Sequence, residues 1–390
     1  NEPTAAWVTK SSGSLNPMQG YISVSTSTTG NISFAGTLNN GNQTINLTRT
    51  HGVTKEGFNL VGNPYPSYVS WDDALKTNLE PTIWLRTKNS SVYVFDTYNS
   101  FSGIGTNNNG NGALTKYIPP MQAFWVRVLK DQTAGTLSLT NLMRSHANGT
   151  SNILKAPKND NASNQSVIRL QVTNGTNSDE AILLFNPNAS DGYDTYDSPK
   201  MTNANVAIPE IYTKVGTENL VINGLNSIAT NPYIPLGFTT GAANTFTIRA
   251  SEVNNFDTNT QIILVDNVLN TEQDLTDGTV YSFTSDKVTT IDRFKIVFRT
   301  TGTVTDLNTT DNNENSFVLY KNNNGEIIVN IEGYVNKQAS VSIYSAIGQR
   351  LLTKQCTGAT TALNTGLTPG VYYVSVSNEG STMTKKIVFN

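Results

Sequence analysis

Hydrophobic and polar residues alternate along most of this chain, in short runs separated by turns. The runs are rich in Val, Ile, Leu, Tyr and Phe, and Gly, Asn, Pro and Asp stand between them. Alternation with a period of two is typical of half-buried strands, and turn signals about every 8–12 residues are typical of sandwiches. We therefore predict an all-β protein built of tandem β-sandwich domains.

The first predicted sandwich covers residues 1–155 and includes one short helix. Its candidate strands are residues 21–25, 32–38, 44–48, 58–61, 83–85, 92–95, 123–129 and 136–142. Ser70 is followed three residues later by Asp73, which resembles a capping box. We predict a helix that continues through Ala74 and Leu75 and is ended by Asn78.

A polar break at residues 155–165 precedes a second sandwich at residues 165–300, for which we predict seven to nine strands. Its clearest candidates are residues 168–172, 180–185, 220–222, 245–250, 262–266, 280–283 and 294–298. Residues 301–316 have no aromatic side chain and read as a flexible linker. Residues 317–390 form the last predicted domain, as three successive hairpins.

Composition argues against several classes of function. Charged residues are 14% of the chain, below the roughly 25% of ordinary soluble domains, and the polarity comes from Asn, Thr, Ser and Gly. A net charge of −3 does not suggest nucleic acid. No segment approaches the ~18 apolar residues of a spanning helix. The last domain carries six Lys and Arg against three Asp and Glu, which is either scattered charge or an aid to docking on a receptor.

Residues that carry chemistry are scarce. Cys356 is the only cysteine, which excludes an intrachain disulfide and a multi-cysteine zinc site, and we expect a small buried side chain there. His51 and His146 are too few for a three-histidine metal site. No G-x-S-x-G elbow occurs. We predict a non-enzymatic chain with no catalytic residues and no cofactor. Because no signal peptide precedes the first strands, we expect a processed product or a piece of a longer protein, incomplete at its N-terminus.

Three carboxylates are the strongest metal candidates. Asp191, Asp194 and Asp197 follow one another at intervals of three in a predicted loop. Clustered oxygen ligands suit Ca²⁺, although the spacing is not that of an EF-hand. The alternative is a solvated turn in which the Asp side chains cap backbone groups, and this alternative is favoured.

Aromatic and glycine-rich stretches in the first domain offer two further candidates. The aromatic residues form a platform for sugar stacking or, as we favour, part of the core: Tyr65, Tyr68, Trp71, Trp84, Tyr93, Tyr98 and Phe101. Residues 101–112 contain a G-x-G but lack the third glycine of a phosphate loop, so we predict a mobile Asn/Gly loop.

The last domain resembles the type A C-terminal sorting domain of the type IX secretion system of Bacteroidetes. Three pieces carry the resemblance, V-S-I-Y-S-A-I-G-Q at 341–349, L-T-P-G-V-Y-Y-V at 367–374 and K-K-I-V-F at 385–389. The sorting-signal residues that it implies are Tyr344, Gly348, Pro369, Gly370, Tyr372, Val374, Lys385 and Lys386. It also implies a small seven-stranded Greek-key sandwich recognised by the outer-membrane translocon, with shuttle and sortase components that remove the domain, and attachment to lipopolysaccharide or another surface glycan.

The cargo is similar to segments of large Bacteroidetes surface proteins. G-F-N-L-V-G-N-P-Y-P-S at 57–67 and I-P-P-M-Q-A-F-W-V at 118–126 carry this resemblance, with Ala123 and Trp125 departing from the usual pattern. We therefore expect a secreted or cell-surface protein that passes through the periplasm and outer membrane, with cargo acting in adhesion or as a surface scaffold. The alternative is a carbohydrate-binding accessory region of a secreted hydrolase whose catalytic domain lies upstream.

Overall fold

The structure, a computed structural model, shows a chain whose regular structure is almost entirely β-strand. It describes residues 2–23, 35–146, 165–300, 317–321, 327–331, 339–363, 366–368, 370–378 and 381–389. Two compact units are present, Asn1–Thr303 and Val304–Asn390. Within the described residues the helices are two single 3-10 turns, Glu2–Thr4 and Asn141–Met143. The all-β prediction is confirmed, and the predicted linker at 301–316 lies outside the described residues.

The first part of the large unit contains strands β1 to β11. They are β1 Gln43–Thr48, β2 Phe58–Gly62, β3 Tyr68–Ser70, β4 Leu75–Thr77, β5 Thr82–Asn89, β6 Val92–Asn99, β7 Ile104–Gly105, β8 Tyr117–Ile118, β9 Ala123–Arg127, β10 Ala134–Leu139 and β11 Arg144–Ser145. They form one five-stranded sheet, β2-β9-β5-β6-β7, and two three-stranded sheets, β1-β10-β4 and β11-β3-β8. The predicted strands at 21–25 and 32–38 are absent where described, at 21–23 and 35–38, and otherwise lie outside the described residues.

The predicted helix after Ser70 is wrong. The segment is a turn closed by the Ala74 N–H, which donates to the Trp71 carbonyl at 3.2 Å, and β4 follows at once. The indole of Trp71 is fully buried and donates to the Pro81 carbonyl at 2.6 Å. The Lys76 ammonium donates to the Trp71 carbonyl at 2.7 Å, an oxygen that a helix would use itself. Tertiary burial of the indole and pairing of β4 with β10 therefore outweigh the local capping pattern.

The second part of the large unit contains strands β12 to β22. They are β12 Ser166–Thr173, β13 Ser178–Phe185, β14 Ser198–Pro199, β15 Glu210–Val215, β16 Glu218–Leu225, β17 Tyr233–Thr240, β18 Asn244–Asn254, β19 Thr260–Asp266, β20 Thr271–Asp274, β21 Tyr281–Ser285 and β22 Val288–Thr300. All eleven belong to one hydrogen-bonded sheet. One apolar core collects side chains from both ends of this sheet, including Phe238, Phe246 and Ile262, so the sheet folds over on itself as a sandwich.

Strands β15 and β17 were not among the predicted candidates. Pro235 interrupts the apolar run of β17, and proline is rare within sheets because it has no N–H to donate. The strand accommodates it beside a register shift between Leu236 and Phe238, where it pairs with β22. The sheet is therefore larger than the seven to nine strands expected.

The two parts of the large unit are joined by buried contacts. Phe58, Trp84 and Met201 form a small apolar cluster across the boundary. The Trp84 indole donates to the Pro199 carbonyl at 2.8 Å. The Asn99 amide donates to the Thr195 and Asp197 carbonyls, each at 3.0 Å. These hydrogen bonds satisfy polar groups that water cannot reach, so the interface resembles a domain interior.

The small unit is a sandwich of seven described strands. They are β23 Phe317–Lys321, β24 Ile327–Ile331, β25 Ser340–Ser345, β26 Arg350–Gln355, β27 Thr360–Leu363, β28 Gly370–Asn378 and β29 Ser381–Phe389. A three-stranded sheet, β23-β24-β27, faces a four-stranded sheet, β26-β25-β28-β29. Their shared core is entirely uncharged and includes Phe317, Ile331, Ile343 and Val374. We call this unit the sorting tail.

Candidate functional site

The structure brings the three sequence pieces of the sorting tail together in one sheet. Strand β28 is central, pairing with β25 on one side and β29 on the other. Tyr344 lies in β25, Gly348 follows it in a turn, Gly370, Tyr372 and Val374 lie in β28, and Lys385 and Lys386 lie in β29. Pro369 lies outside the described residues. Their role in sorting stays a prediction, and the sheet places residues from distant parts of the sequence side by side.

The inner face of β28 holds the sandwich together. The Val374 side chain is completely buried, and 8% of the Tyr372 residue surface is exposed to solvent. The Tyr372 hydroxyl donates to the Thr368 carbonyl at 2.9 Å, which ties the segment before β28 to the strand itself. A buried hydroxyl needs such a partner, because leaving it unpaired costs roughly 1–3 kcal/mol.

Gly348 is required by the backbone of the turn between β25 and β26. Its φ of +81° lies in the left-handed region, where a side chain is strained. Its N–H donates to the Ser345 carbonyl at 2.9 Å, and the Ser345 N–H donates to the Gln349 carbonyl at 2.8 Å. A Cβ at this position would meet nothing within 4 Å, so conformation and not space selects glycine.

Two lysines close the open edges of the sandwich. Lys385 lies opposite Val374, at an inward-facing position of the edge strand β29, and its ammonium donates to the Phe317 carbonyl on β23. Lys354 lies opposite Val341 on the other edge strand, β26, and donates to the Ala362 carbonyl on β27 at 2.8 Å. Inward-pointing charges of this kind protect sheet edges from pairing with other chains. We call Lys354 and Lys385 the lysine clasps.

Sequence reasoning found Lys385 but missed Lys354. The signal was available, because Lys354 interrupts an alternating strand at an inward position of the second hairpin. It was overlooked because the alternation within β26 does not show that β27, the next strand along the chain, joins the opposite sheet. Lys386 pairs with Tyr373 in the β28–β29 ladder.

The outer face of the four-stranded sheet is lined with hydroxyl groups. Thr353, Ser342, Ser375 and Thr384 form one row across the four strands. The Ser342 and Thr353 hydroxyls lie 2.9 Å apart, and the Thr384 hydroxyl donates to that of Ser375 at 3.1 Å. Tyr373 is partly exposed beside this row. This row is therefore neutral and hydrogen-bonding, and the next row on the same face places Lys386 opposite Tyr373.

The candidate metal ligands in the large unit are engaged as backbone caps. Asp191 accepts the Asn226 N–H at 3.0 Å, and Asp194 accepts the N–H groups of Ser190 and Tyr196, both at 2.7 Å. Asp197 accepts the N–H groups of Asp194 and Gly224, both at 2.8 Å. Across the part of the chain that the structure describes, no three carboxylate, His or Cys side chains are arranged to hold a metal ion. The geometry agrees with the turn-capping alternative.

Most of the predicted aromatic platform packs inside the protein. Tyr65, Trp71, Trp84 and Tyr98 are buried, while Tyr93 and Phe101 are exposed. The predicted mobile loop at 101–112 is also organised from within. Its Asn108 N–H and Asn109 amide donate to the buried Asp96 carboxylate at 2.6 and 2.5 Å. Burial raises the pKa of Asp96, and these donors oppose that rise.

An enclosed group of charges lies at the boundary between the two parts of the large unit. The Arg127 guanidinium binds both oxygens of Glu218, at 3.2 and 3.1 Å, and lies 3.5 Å from Glu80. Burial raises the pKa of Glu80 to about 7, because desolvation outweighs the attraction of Arg127. Burial also raises the pKa of the neighbouring Tyr193. Tight packing encloses these groups, as expected for a structural network.

A cleft of about 390 Å³ lies elsewhere in the large unit. Its walls include Asn203, Ile208, Glu210 and Thr240. Glu210 is nearly buried and accepts the Asn203 N–H at 2.6 Å.

No helix in the described part of the chain is long and apolar enough to span a membrane.

Comparison with known proteins identifies both units. The model of the family described as Domain of unknown function (DUF8693) matches residues 1–298, and that of the Secretion system C-terminal sorting domain matches residues 322–390. The chain is 22% identical over 381 residues to the minor fimbrium subunit Mfa5 of Porphyromonas gingivalis. That match covers 93% of this chain and 30% of the relative, so the chain spans about a third of the relative's length. No solved structure matches.

The resemblance of the tail to the type IX sorting domain is therefore confirmed. The tail marks the chain for recognition by the type IX secretion machinery and for export to the cell surface or the medium. The chain belongs to the DUF8693 family, and it is a type IX secretion substrate.

Proposed function

We propose that the unit of residues 1–303 is a non-enzymatic adhesion or surface-scaffold module that the sorting tail delivers. One observation carries the proposal: the two sandwich-like parts are locked into a single unit by buried contacts. The Trp84–Pro199 hydrogen bond, the Asn99 contacts and the Arg127–Glu218 ion pair all cross the boundary. A part that must hold a binding surface away from the cell benefits from such fixed geometry.

The similarity to a minor fimbrium subunit supports a role in a surface appendage. Perturbed carboxyl groups such as Glu80 are frequent in active sites. Here, however, Glu80 is 3% exposed and pairs with Arg127 within the packed boundary, an arrangement that suits structure better than turnover.

The partners of the tail form the finer part of the proposal. The outer-membrane translocon of the type IX secretion system would recognise the folded sorting tail. Shuttle and sortase components would then remove the tail from the cargo. Attachment of the released cargo to lipopolysaccharide or another surface glycan would then hold it on the cell.

Adhesion can be tested on living cells. Bacteria displaying the full chain are expected to attach more strongly to immobilised matrix proteins, or to one another, than bacteria displaying an unrelated reporter joined to residues 304–390. Equal attachment, with equal surface amounts confirmed by antibody, would contradict the adhesion role.

The carbohydrate-binding alternative is tested by glycan-array binding of residues 1–303. Trp71 and Trp84 are buried, so they cannot serve as a stacking platform, and Tyr93 and Phe101 are the exposed candidates. Glycan binding that is lost in Y93A or F101A, with the fold retained, would favour an accessory region of a hydrolase. Absence of binding leaves adhesion to proteins or surface scaffolding as the supported role.

A further inference from the structure

Three buried ionisable side chains lie in the second part of the large unit. Asp179 is in β13, Lys200 directly follows β14, and Glu210 begins β15. They are 1%, 9% and 7% exposed. The Lys200 ammonium nitrogen Nζ lies 2.6 Å from Asp179 Oδ2, and the Ile211 N–H donates to the same oxygen at 2.8 Å.

This pair differs from the other buried ion pairs in the described part of the chain. Those pairs use arginine, as in Arg293–Asp266 and Arg127–Glu80. A guanidinium stays charged and is not a nucleophile under any ordinary condition, whereas a buried lysine amine can lose its proton and attack a carbonyl carbon. Lysine at a closed site therefore brings a chemical possibility that arginine lacks.

The second carboxyl group makes a purely structural role costly. Lys200 can balance one negative charge, and Glu210 adds another where little water is present. Burial raises the pKa of both Asp179 and Glu210, while the charge of Lys200 opposes the rise. Each acid is thus biased towards its protonated form. A protonated carboxyl group next to an amine is the starting state for amide formation.

We propose that Lys200 and Asp179 join in an intramolecular amide bond, an isopeptide, and that Glu210 passes the proton that the reaction must move. The observations behind it are the buried contact between amine and carboxyl group, the backbone donor on Asp179, and a second buried carboxyl group on Glu210, the residue before that donor.

The reaction balances without any outside reagent. A proton passes from the Lys200 ammonium to the Asp179 carboxylate, which leaves a neutral amine and a carboxylic acid. Nζ attacks the carboxyl carbon Cγ, and the Ile211 N–H stabilises the negative charge on Oδ2. Glu210, protonated at the start, donates its proton to the departing Oδ1 hydroxyl and then takes a proton from the attacking nitrogen, so it returns to its starting form. The Cγ–O bond breaks, the Cγ–N bond remains, and one water molecule is released.

The fold favours this reaction by fixing its reactants. The Lys200 N–H donates to the Asn219 carbonyl of β16 at 2.8 Å, and β13 pairs with the same strand. Both reacting side chains are therefore held on the frame of β16, which removes the entropy of bringing them together. Glu210 also lines the cleft described above, so the released water has a route to solvent.

Intact-mass spectrometry of the purified full chain tests the bond directly. The protein is expected to be lighter than its sequence by one water molecule. After denaturation and digestion, trypsin should fail to cut after Lys200, so that residues 170–214 appear as one peptide that is one water molecule lighter than its sequence. Cleavage after Lys214, an exposed lysine in β15, is the control for complete digestion.

Two variants separate the bond from the fold. K200R keeps the ion pair with Asp179 but cannot form the amide. E210Q keeps the shape of the side chain but cannot pass a proton. Both variants should therefore have the full mass of their sequences. K116R removes the lysine of the exposed Lys116–Asp72 pair and should keep the missing water. A wild-type chain at full mass that trypsin cuts after Lys200 would overturn the bond, and E210Q lacking one water would overturn the part given to Glu210.

Discussion

The large unit and the sorting tail are stabilised in different ways. The large unit encloses charged groups, including Asp96, Asp179 and the Glu80–Arg127 pair, each surrounded by its own donors or partners. In the described residues of the tail, the buried polar side chains are the neutral Thr361 and Ser375, and its charged lysine clasps lie at the sheet edges.

The difference indicates what each unit must do. An apolar core with protected edges can fold from local hairpins and then stay apart from other chains until it is recognised. Buried polar networks add specificity and rigidity, since every member must find its partner. A transported signal needs the first set of properties, and a lasting surface module gains from the second.

The largest effect should follow from a charge in the tail core. V374D places a carboxylate at a completely buried position, which should lower the free energy of unfolding of the tail by about 4 kcal/mol and unfold so small a sandwich. Y373D changes the adjacent, partly exposed residue and should leave the tail folded. Limited proteolysis of the full chain should degrade the tail of V374D alone; equal resistance of both variants would refute the apolar-core account.

The large unit should depend on pH through Glu80. Its folded pKa of about 7 lies above the ordinary 4.5, so the folded state binds the proton more tightly than the unfolded state. The contribution of Glu80 to the free energy of unfolding is fully present below pH 4.5 and is lost as the pH rises through about 7. The loss amounts to about 3 kcal/mol at most. Asp197, whose pKa burial also raises to about 7, adds to the slope.

E80Q should flatten this pH dependence in chemical-denaturation curves. E272Q alters an exposed carboxylate paired with Arg299 and is the matched control, in which the slope should remain. A slope equal in E80Q and the native chain would show that Glu80 is not held in its protonated form.

A smaller effect is expected at the boundary inside the large unit. W84F removes the indole N–H from a fully buried position and leaves the Pro199 carbonyl without that donor, which should cost about 2 kcal/mol. Y93F removes a polar group from an exposed ring on the neighbouring strand and should cost little. Thermal unfolding measures both, and equal melting temperatures would argue against a tightly sealed boundary.

The smallest change in stability should come from the lysine clasps. Replacing Lys354 and Lys385 together by methionine leaves the tail folded within about 1 kcal/mol but removes the inward charges from both sheet edges. The expected result is self-association, measured by sedimentation. R350M removes an exposed charge from β26 and should associate no more than the parent chain does. A double variant that associates no more than the parent chain would contradict the edge-protecting role.

The sequence predicted the tail better than the cargo, for a physical reason. Local hairpins with period-two alternation specify β25, β26, β28 and β29, and the turn at Gly348 could be placed by its glycine. The contact of Lys354 with Ala362 could not be placed, because β26 and β27 follow one another in the chain but belong to different sheets. Short-range patterns indicate strands, and sheet partners across a sandwich need the three-dimensional structure.

The failures in the cargo have the same origin. Ser70 and Asp73 satisfied a local helix rule, which the burial of Trp71 and the pairing of β4 overrode. The partners of Trp84 and Asn99 come from residues about a hundred positions later in sequence. Lys200 and Asp179 carried no motif at all, since only the folded sheet brings this lysine and this carboxyl group together.

The central claim is that the sorting tail is a self-sufficient export signal and the large unit is its cargo. The direct test joins residues 304–390 to an unrelated periplasmic reporter in a type IX-competent cell and asks where the reporter goes. We predict a reporter on the cell surface or in the medium, accessible to protease on intact cells, and retention in the periplasm when the graft carries V374D. A reporter that stays in the periplasm with the native tail would contradict the claim.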